Sequence, residues 1–326
     1  MTDARLAGPR VVAFGGGHGL AASLSALRRV SGRLTAVCTV ADDGGSSGRL
    51  RRDFGVLPPG DLRMALAALC GDDDWGRTWA RVLQHRYASG ELAGHAAGNL
   101  LIVALWDLLD GQVEGLDWVG RLLGARGRVL PMAAVPMDIE ALVGAPRRPG
   151  AARREITTVH GQHAVAMAGG SVVAVHLVPE NPPAYQETLT AIAEADWVVF
   201  GPGSWFSSVI PHLLVPELRE ALLASRARRL VTLNLTPEGG ETDGFTPEMH
   251  LEVLAAYAPE LTLDVALADR SCVPDEKLLR RVAGELGADV LVTDVAMGDG
   301  TPRHHPGRLA RAYGTAFDRG SIAPWR

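Results

Sequence analysis

Two adjacent carboxylates, Asp42 and Asp43, follow an apolar run and lead straight into Gly44, Gly45, Ser46, Ser47 and Gly48, with Arg49 next in the chain. Paired negative charge beside a flexible backbone and two hydroxyls is more than an ordinary connection requires. At the end of a strand, such carboxylates can accept hydroxyls of a ribose or another sugar, or hold Mg2+ beside a phosphoryl group. The amides and hydroxyls that follow can donate to a phosphate. The plain alternative is a solvated turn with a capping serine, and Arg49, Arg51 and Arg52 read equally as anion partners or as surface charge.

Three further segments have the same character. Gly15, Gly16, Gly17, His18 and Gly19 stand between an apolar run and a helical pattern, where free amides and the helix dipole favour an anion. This is not the G-x-G-x-x-G dinucleotide fingerprint, because Leu20 occupies the place of the last small residue. The stretch from Gly201 to Ser208, GPGSWFSS, combines Gly203, which lets a backbone approach, with the hydroxyls of Ser204, Ser207 and Ser208 near a helix start. Asn234 to Phe245, NLTPEGGETDGF, adds an amide and several carboxylates after another apolar run. His95, with Asn99 one turn later, reads either as a capping or core group or as part of a site. No Ser-His-Asp order and no metal-histidine spacing supports hydrolysis, and His304-His305 has no partner motif, so no residue is assigned a catalytic role.

The elements that must position these loops alternate. Arg10–Phe14 reads as a strand, Leu20–Val30 as a helix with Leu20, Leu24 and Leu27 on one face, and Leu34–Val40 as a second strand. Asp61 is placed to cap the helix DLRMALAALC, and Gly98–Leu109 is apolar nearly all round, as expected of a buried helix. Strands are expected at Trp197–Phe200, Leu230–Leu235, Leu263–Ala268 and Val290–Thr293, separated by helical patterns. This alternation predicts an α/β fold with a mostly parallel sheet covered on both faces. Residues 133–179 break the pattern: prolines, Gly144, Gly150, Gly161 and Gly169-Gly170 separate short β-prone pieces such as EITTVHG and SVVAVHLV. They read as a β-rich insertion or cap within a single domain spanning residues 1–326.

Composition removes several classes of function. A chain of 326 residues with 47% hydrophobic and 21% charged content has the make-up of a soluble globular protein. A net charge of −5 argues against a nucleic-acid partner. Cys38, Cys70 and Cys272 share no zinc or disulfide spacing, which fits a reducing cytoplasm. The N-terminus MTDARLAGPR lacks a signal core, and no apolar run reaches the roughly 18 residues of a membrane span. Lys277 is the only lysine and sits in VPDEKLLRRV, so a Walker lysine or Schiff base is not expected. An anion here must be held by arginine, backbone amides or hydroxyls.

In this order, GGGHGL, TVADDGGSSGRLRRDFGVLPPGDLRMAL, GELAGHAAGNLL, ARGRVLP, GPGSWFSSVIPHLLVP and GETDGFTPEMHL resemble the YvcK-like gluconeogenesis factor family, related in fold to the CofD 2-phospho-L-lactate transferases. The resemblance covers nearly the whole chain. It implies a Rossmann-like, doubly wound fold and a cytoplasmic regulatory protein that binds nucleotide sugars such as UDP-N-acetylglucosamine. It also implies links to gluconeogenic carbon metabolism, cell-wall synthesis and cell shape, through cell-wall or metabolic protein partners. The expected ligand residues are Gly15, Gly16, Gly17, His18, Gly19, Asp42, Asp43, Gly44, Ser46, Ser47, Asn99, Gly203, Ser204, Ser207, Ser208 and Asn234. No cofactor is required on this reading; a UDP-sugar or NAD is the expected bound molecule, and a homo-oligomer is open. A CofD-like transferase is the alternative, with Mg2+ held by Asp42 and Asp43. The chain departs from the family pattern at His18, Trp205, Phe206, Ser207 and His212, which removes an aromatic hydroxyl and an amide near the third loop. Phosphate binding is still implied; the sugar and base are not fixed.

Overall fold

The computed structural model describes residues 8–144, 156–168 and 170–322. Residues 1–7, with most of MTDARLAGPR, lie outside these, as do Gly150, the first residue of EITTVHG and Gly169. In chain order the strands are β1 (Arg10–Gly15), β2 (Arg33–Cys38), β3 (Arg128–Pro131), β4 (Asp138–Gly144), β5 (Ile156–His160), β6 (Ser171–Val178), β7 (Trp197–Phe200), β8 (Arg228–Thr232), β9 (Val265–Asp269) and β10 (Asp289–Thr293). The helices are α1 (Gly17–Leu27), α2 (Gly45–Phe54), α3 (Gly60–Leu69), α4 (Asp74–Gln84), α5 (Ala97–Leu108), α6 (Gln112–Leu123), α7 (Gln162–Ala166), α8 (Gln186–Glu194), α9 (Pro211–Leu214), α10 (Pro216–Ala224), α11 (Pro247–Tyr257), α12 (Glu276–Glu285) and α13 (Pro306–Ile322). A turn of π-helix at Trp205–Val209 precedes α9.

Seven strands form one sheet in the order β10-β9-β8-β7-β1-β2-β3, and every pairing in it is parallel. A parallel sheet needs both faces covered, and its central strands are accordingly apolar throughout: Val11 to Phe14 and Trp197 to Phe200 are all buried. β2 and β3 lie to one side of β1, and β7 to β10 to the other. The chain order therefore reverses between β1 and β7, the place where an open α/β sheet leaves a crevice beyond its carboxyl ends. Across that boundary Phe14 stacks on Phe200 with ring centroids 5.4 Å apart. The antiparallel sheet β5-β4-β6 is the insertion, with strands that lie within residues 133–179.

The second strand ends at Cys38, two residues before the sequence pattern does, because its neighbour β1 ends at Gly15 and only the Thr39 amide finds a partner, the Gly15 carbonyl. β8 likewise stops at Thr232, since its register with β7 ends at Phe200 opposite Val231; beyond it Leu233 keeps one bond to the Leu267 carbonyl and Asn234 turns to Gly203. β9 runs from Val265 to Asp269 rather than from Leu263. β3, of four residues, is too short an apolar run for the sequence pattern to mark as a strand. The first helix starts at Gly17 and ends at Leu27, three residues earlier at each end than its apolar pattern. α5 is not buried all round. Ala104 faces solvent and Leu108 is 77% exposed, because only the face with Ile102, Val103 and Trp106 meets the core. Among the described residues no helix is long and apolar enough to cross a membrane.

A buried chain of hydroxyls fixes the crevice from behind. Ser23 of α1 donates to the Gly201 carbonyl at 2.7 Å, and the Tyr313 hydroxyl of α13 lies 2.8 Å from Ser23 Oγ and 2.9 Å from Thr232 Oγ1 of β8. Every one of these groups is buried, so each bond counts against the cost of an unpaired polar atom.

Candidate functional site

The loops after β1, β2, β7 and β8 meet at the reversal point. Gly16 lies so close to the base of this meeting that a Cβ there would stand 2.5 Å from Asp61 Oδ2, 2.6 Å from Thr39 Oγ1 and 3.1 Å from Ser208 Oγ. One residue-sized gap thus brings together the first loop, the end of β2, the start of α3 and the π-turn. Gly19 packs on the 201–208 loop, where a Cβ would collide with the Pro202 carbonyl oxygen. Gly203 is held from the other side by Asn234, whose Oδ1 accepts the Gly203 amide at 2.9 Å and whose Nδ2 donates to its carbonyl at 3.0 Å.

Asp61 organises the centre. It does not cap its own helix, as its position in the sequence suggests; Pro59 occupies the cap position of α3 and no side chain bonds there. Instead its Oδ1 accepts the Gly17 amide at 3.0 Å and its Oδ2 accepts the Thr39 hydroxyl at 2.5 Å. The reason is spatial: α3 packs against α1, so the first turn of α3 lies beside the open N-terminus of α1, where a carboxylate is favoured. Burial pushes the Asp61 carboxyl up to about 6; the Thr39 and Gly17 bonds oppose this, and the charge of Asp42 adds to it. His18, at the same helix start, is exposed.

The two adjacent aspartates have separate duties. Asp42 accepts the Gly44 amide on Oδ1 at 3.0 Å, while its Oδ2 faces Gly60, whose Cβ would stand 2.7 Å away. Asp43 turns to the insertion and accepts the His163 amide at 2.9 Å, in the first turn of α7. Arg51, on α2, ties the insertion down as well, with a two-pronged pair to Asp138 of β4 at 2.7 and 3.0 Å. Arg49 donates to the Ala93 carbonyl at 2.9 Å.

Ser46 is at the middle of a buried knot. Its oxygen accepts the Ala96 amide at 3.3 Å and Asn99 Nδ2 at 3.0 Å, so its own proton is directed at His95 Nδ1, 3.2 Å away. Burial, then the charge of Arg49, lowers the His95 pKa, which favours the neutral ring. Ser47 is buried beside Gly60, and Asn99 Oδ1 is buried with no partner among the described residues. In the third loop Ser204 is hydrogen-bonded to Glu238, Ser207 donates to Glu241 Oε1 at 2.6 Å, and the Phe206 amide donates to Glu241 Oε2 at 3.1 Å. Two carboxylates of the fourth loop therefore hold the hydroxyls of the third, and Ser208 is left facing Gly16.

The open part of the site is a cleft of about 250 Å³ lined by Asp42, Gly44 to Ser47, Gly60, Asp61, Arg63, Arg86 and His163. A larger hollow of about 700 Å³ lies under the opposite ends of β1 and β2, around Arg10 and Arg33. The loop after β2 and the carboxylates of Asp42 and Asp61 are at the smaller one, on the side where sheets of this type hold ligands. The structure thus brings the second loop, with Asp42, Gly44, Ser46 and Ser47, to the cleft itself. Gly15 to Gly19 do not line it and connect to it through the Gly17 amide on Asp61, and Asn99, Gly203, Ser204, Ser207, Ser208 and Asn234 lie behind its walls. Sequence reasoning missed Asp61, Arg63, Arg86 and His163 as cleft residues. The signal for Asp61 and Arg63 was the Pro-Pro-Gly before them, which sets a helix start that must face a neighbouring element; Arg86 and His163 carry none. No group of three or more His, Cys, Asp or Glu side chains among the described residues is arranged to hold a metal.

Comparison with known proteins gives a consistent result. The family described as 2-phospho-L-lactate transferase CofD matches residues 11–297. A relative from Mycobacterium tuberculosis is 53% identical over 304 residues, covering 92% of this chain and 88% of its own, and one from Listeria monocytogenes is 34% identical over 316 residues, covering 93% and 94%. Both carry the words gluconeogenesis factor in their names. Among solved structures, the UPF0052-family protein BH3568 of Bacillus halodurans superposes with a TM-score of 0.82 at 31% identity, covering 94% of this chain and 98% of that one.

Proposed function

Because the chain belongs to the CofD family, in company with relatives named gluconeogenesis factor, we propose that its cleft binds a nucleotide sugar of the UDP-N-acetylglucosamine kind and reports it to other proteins. In this reading the protein is a cytoplasmic regulator that couples carbon metabolism to cell-wall synthesis and cell shape.

The observation that carries the reading is the meeting of four strand-end loops at the reversal point of the sheet, where the second of them lines a small cleft. Such a cleft offers carboxylate acceptors for sugar hydroxyls, with no donor on Asp42 Oδ2 among the described residues, and amide, hydroxyl and guanidinium donors for phosphate. The charged and hydroxyl groups on its walls suit a hydrophilic ligand, and Met64 adds an apolar surface beside them. Most of the hydroxyls around it are already bonded to protein, which favours holding a ligand over activating a nucleophile.

A ligand that binds only the folded chain raises its melting temperature by mass action, by about 2.7 kcal/mol of stability at a hundredfold excess over Kd. UDP-N-acetylglucosamine at millimolar concentration is expected to do so. Flat melting curves with UDP-sugars, together with a shift for NAD, would replace the nucleotide sugar by a dinucleotide.

The transferase alternative draws on one observation, that Asp42 and Asp61 share the cleft closely enough for the charge of one to raise the pKa of the other. These are the hard-oxygen donors that a Mg2+ ion would meet there, since Asp43 is turned to His163. Incubation with UDP-sugar and Mg2+, followed by a search for released UDP or UMP, separates the two: release decides for transfer, and its absence with retained binding decides for the sensor.

A further inference from the structure

Arg63 and Arg86 line the same cleft and are not held as an ordinary pair of surface cations would be. Arg63, in the first turn of α3, is only 3% exposed. Its Nη1 donates to Gln84, but its Nε is buried without an acceptor among the described residues. Arg86 is exposed and is anchored by a 2.9 Å bond from Nη1 to the Gly94 carbonyl. Burial and then the charge of Arg86 lower the Arg63 pKa to about 10, so the two guanidiniums are close enough to repel. Asp61 and Asp42 act in the other direction, yet both Asp61 oxygens already accept protein donors.

Setting a second guanidinium against a buried one costs energy, and so does a buried N–H with no acceptor. The first of these costs is removed by one group: an anion with several acceptor oxygens, seated in the cleft that both side chains line. Guanidinium forks match the oxygens of phosphate in pairs, which a lysine could not do. The chain has one lysine, Lys277, and it is not in this cleft.

We propose that Arg63 and Arg86 are a phosphate clamp, which sets the direction of the ligand in the cleft: phosphate against the two guanidiniums, hydroxyls against Asp42. What carries the phosphate rests on the nucleotide-sugar reading; the clamp itself does not. It also moves the anion subsite away from the N-terminus of α1, where Asp61 already occupies the Gly17 amide.

The test is calorimetric titration of the full chain with inorganic pyrophosphate and with UDP-N-acetylglucosamine, for wild type, Arg86→Gln and Arg86→Lys. Arg86 is exposed, so both variants are expected to melt like wild type without ligand, and this is checked first. Arg86→Gln is expected to weaken both compounds ten- to a hundredfold, in line with loss of hydrogen bonds between charged groups, and to flatten the salt dependence of binding. Arg86→Lys is expected to recover only part of the loss. Arg86-dependent binding of pyrophosphate without any binding of the UDP-sugar upholds the clamp and removes the nucleotide-sugar reading. Binding of the UDP-sugar that is indifferent to both substitutions keeps that reading and overturns the clamp. Failure of both compounds to bind wild type overturns it too.

Discussion

The Asp61 carboxylate accepts the Gly17 amide at 3.0 Å across 44 residues of sequence, so that the first turn of α3 closes the N-terminus of α1. This one bond, with the Thr39 hydroxyl on the other oxygen, ties two strand-end segments and the start of α3 into one base for the cleft.

The same carboxylate should make stability depend on pH. Its folded-state pKa is raised from 3.8 to about 6, so the folded chain holds a proton that the unfolded chain releases. The stability it contributes is complete below 3.8 and is lost as pH rises through about 6. At about 1.4 kcal/mol per pH unit the loss is up to roughly 3 kcal/mol. Asp61→Asn, which cannot ionise, should therefore gain stability relative to wild type across this window. Urea unfolding of both proteins from pH 4 to pH 8 checks it, and parallel profiles would show that the group does not titrate there.

Gly16→Ala should damage the site more than the fold. The added Cβ would stand 2.5 Å from Asp61 Oδ2 and 2.6 Å from Thr39 Oγ1, so these partners must separate. Overpacking of this kind costs about 1–3 kcal/mol. Binding of UDP-N-acetylglucosamine should fall more steeply than the melting temperature, because the displaced Asp61 is at the base of the cleft. Unchanged binding in the variant would mean that the base is not coupled to the ligand.

Glu241 is 1% exposed and takes both the Ser207 hydroxyl and the Phe206 amide. Glu241→Ala strands two buried donors, each at about 1–3 kcal/mol, and should lower the free energy of unfolding by a few kcal/mol in chemical denaturation. Glu241→Gln keeps one acceptor oxygen and should lose less. Burial raises the carboxyl pKa above its ordinary value, so the loss in Glu241→Gln should shrink at acid pH, where the wild-type side chain is itself protonated.

For the adjacent aspartates, opposite outcomes are expected. Asp42→Asn should weaken UDP-N-acetylglucosamine by roughly 1–3 kcal/mol with or without Mg2+, since one of its oxygens faces the cleft. Asp43→Ala should leave binding nearer to wild type but free the His163 amide, seen as faster hydrogen exchange in residues 162–166. A loss at Asp42 that vanishes in EDTA would instead favour the metal-dependent transferase.

Much of this was legible in the chain because it is local. Apolar runs of strand length, each followed by glycines and a 3.6-residue apolar period, specify parallel strands and crossover helices, and the loops that end them must gather at one edge of the sheet. GGGHG, DDGGSS and GPGSWFSS stand out for the same reason: their glycines and hydroxyls are consecutive, and what they do to the backbone depends on neighbours in sequence. The strand ends, by contrast, were set by the length of the partner strand, as when β2 stops because β1 has become α1.

Partners far apart in the chain were decided by packing alone. Whether Asp61 caps its own helix or the start of α1, whether Ser46 faces a ligand or Asn99 53 residues away, and whether Asp43 points at the cleft or at His163 120 residues away all depend on which elements are laid side by side. A polar side chain near a buried loop must find a partner, and sequence states that need without naming who fills it. The arginine pair is the clearest case: Arg63 and Arg86 are 23 residues apart on separate segments, and only the packing of α3 against α4, which ends just before Arg86, sets them on one cleft.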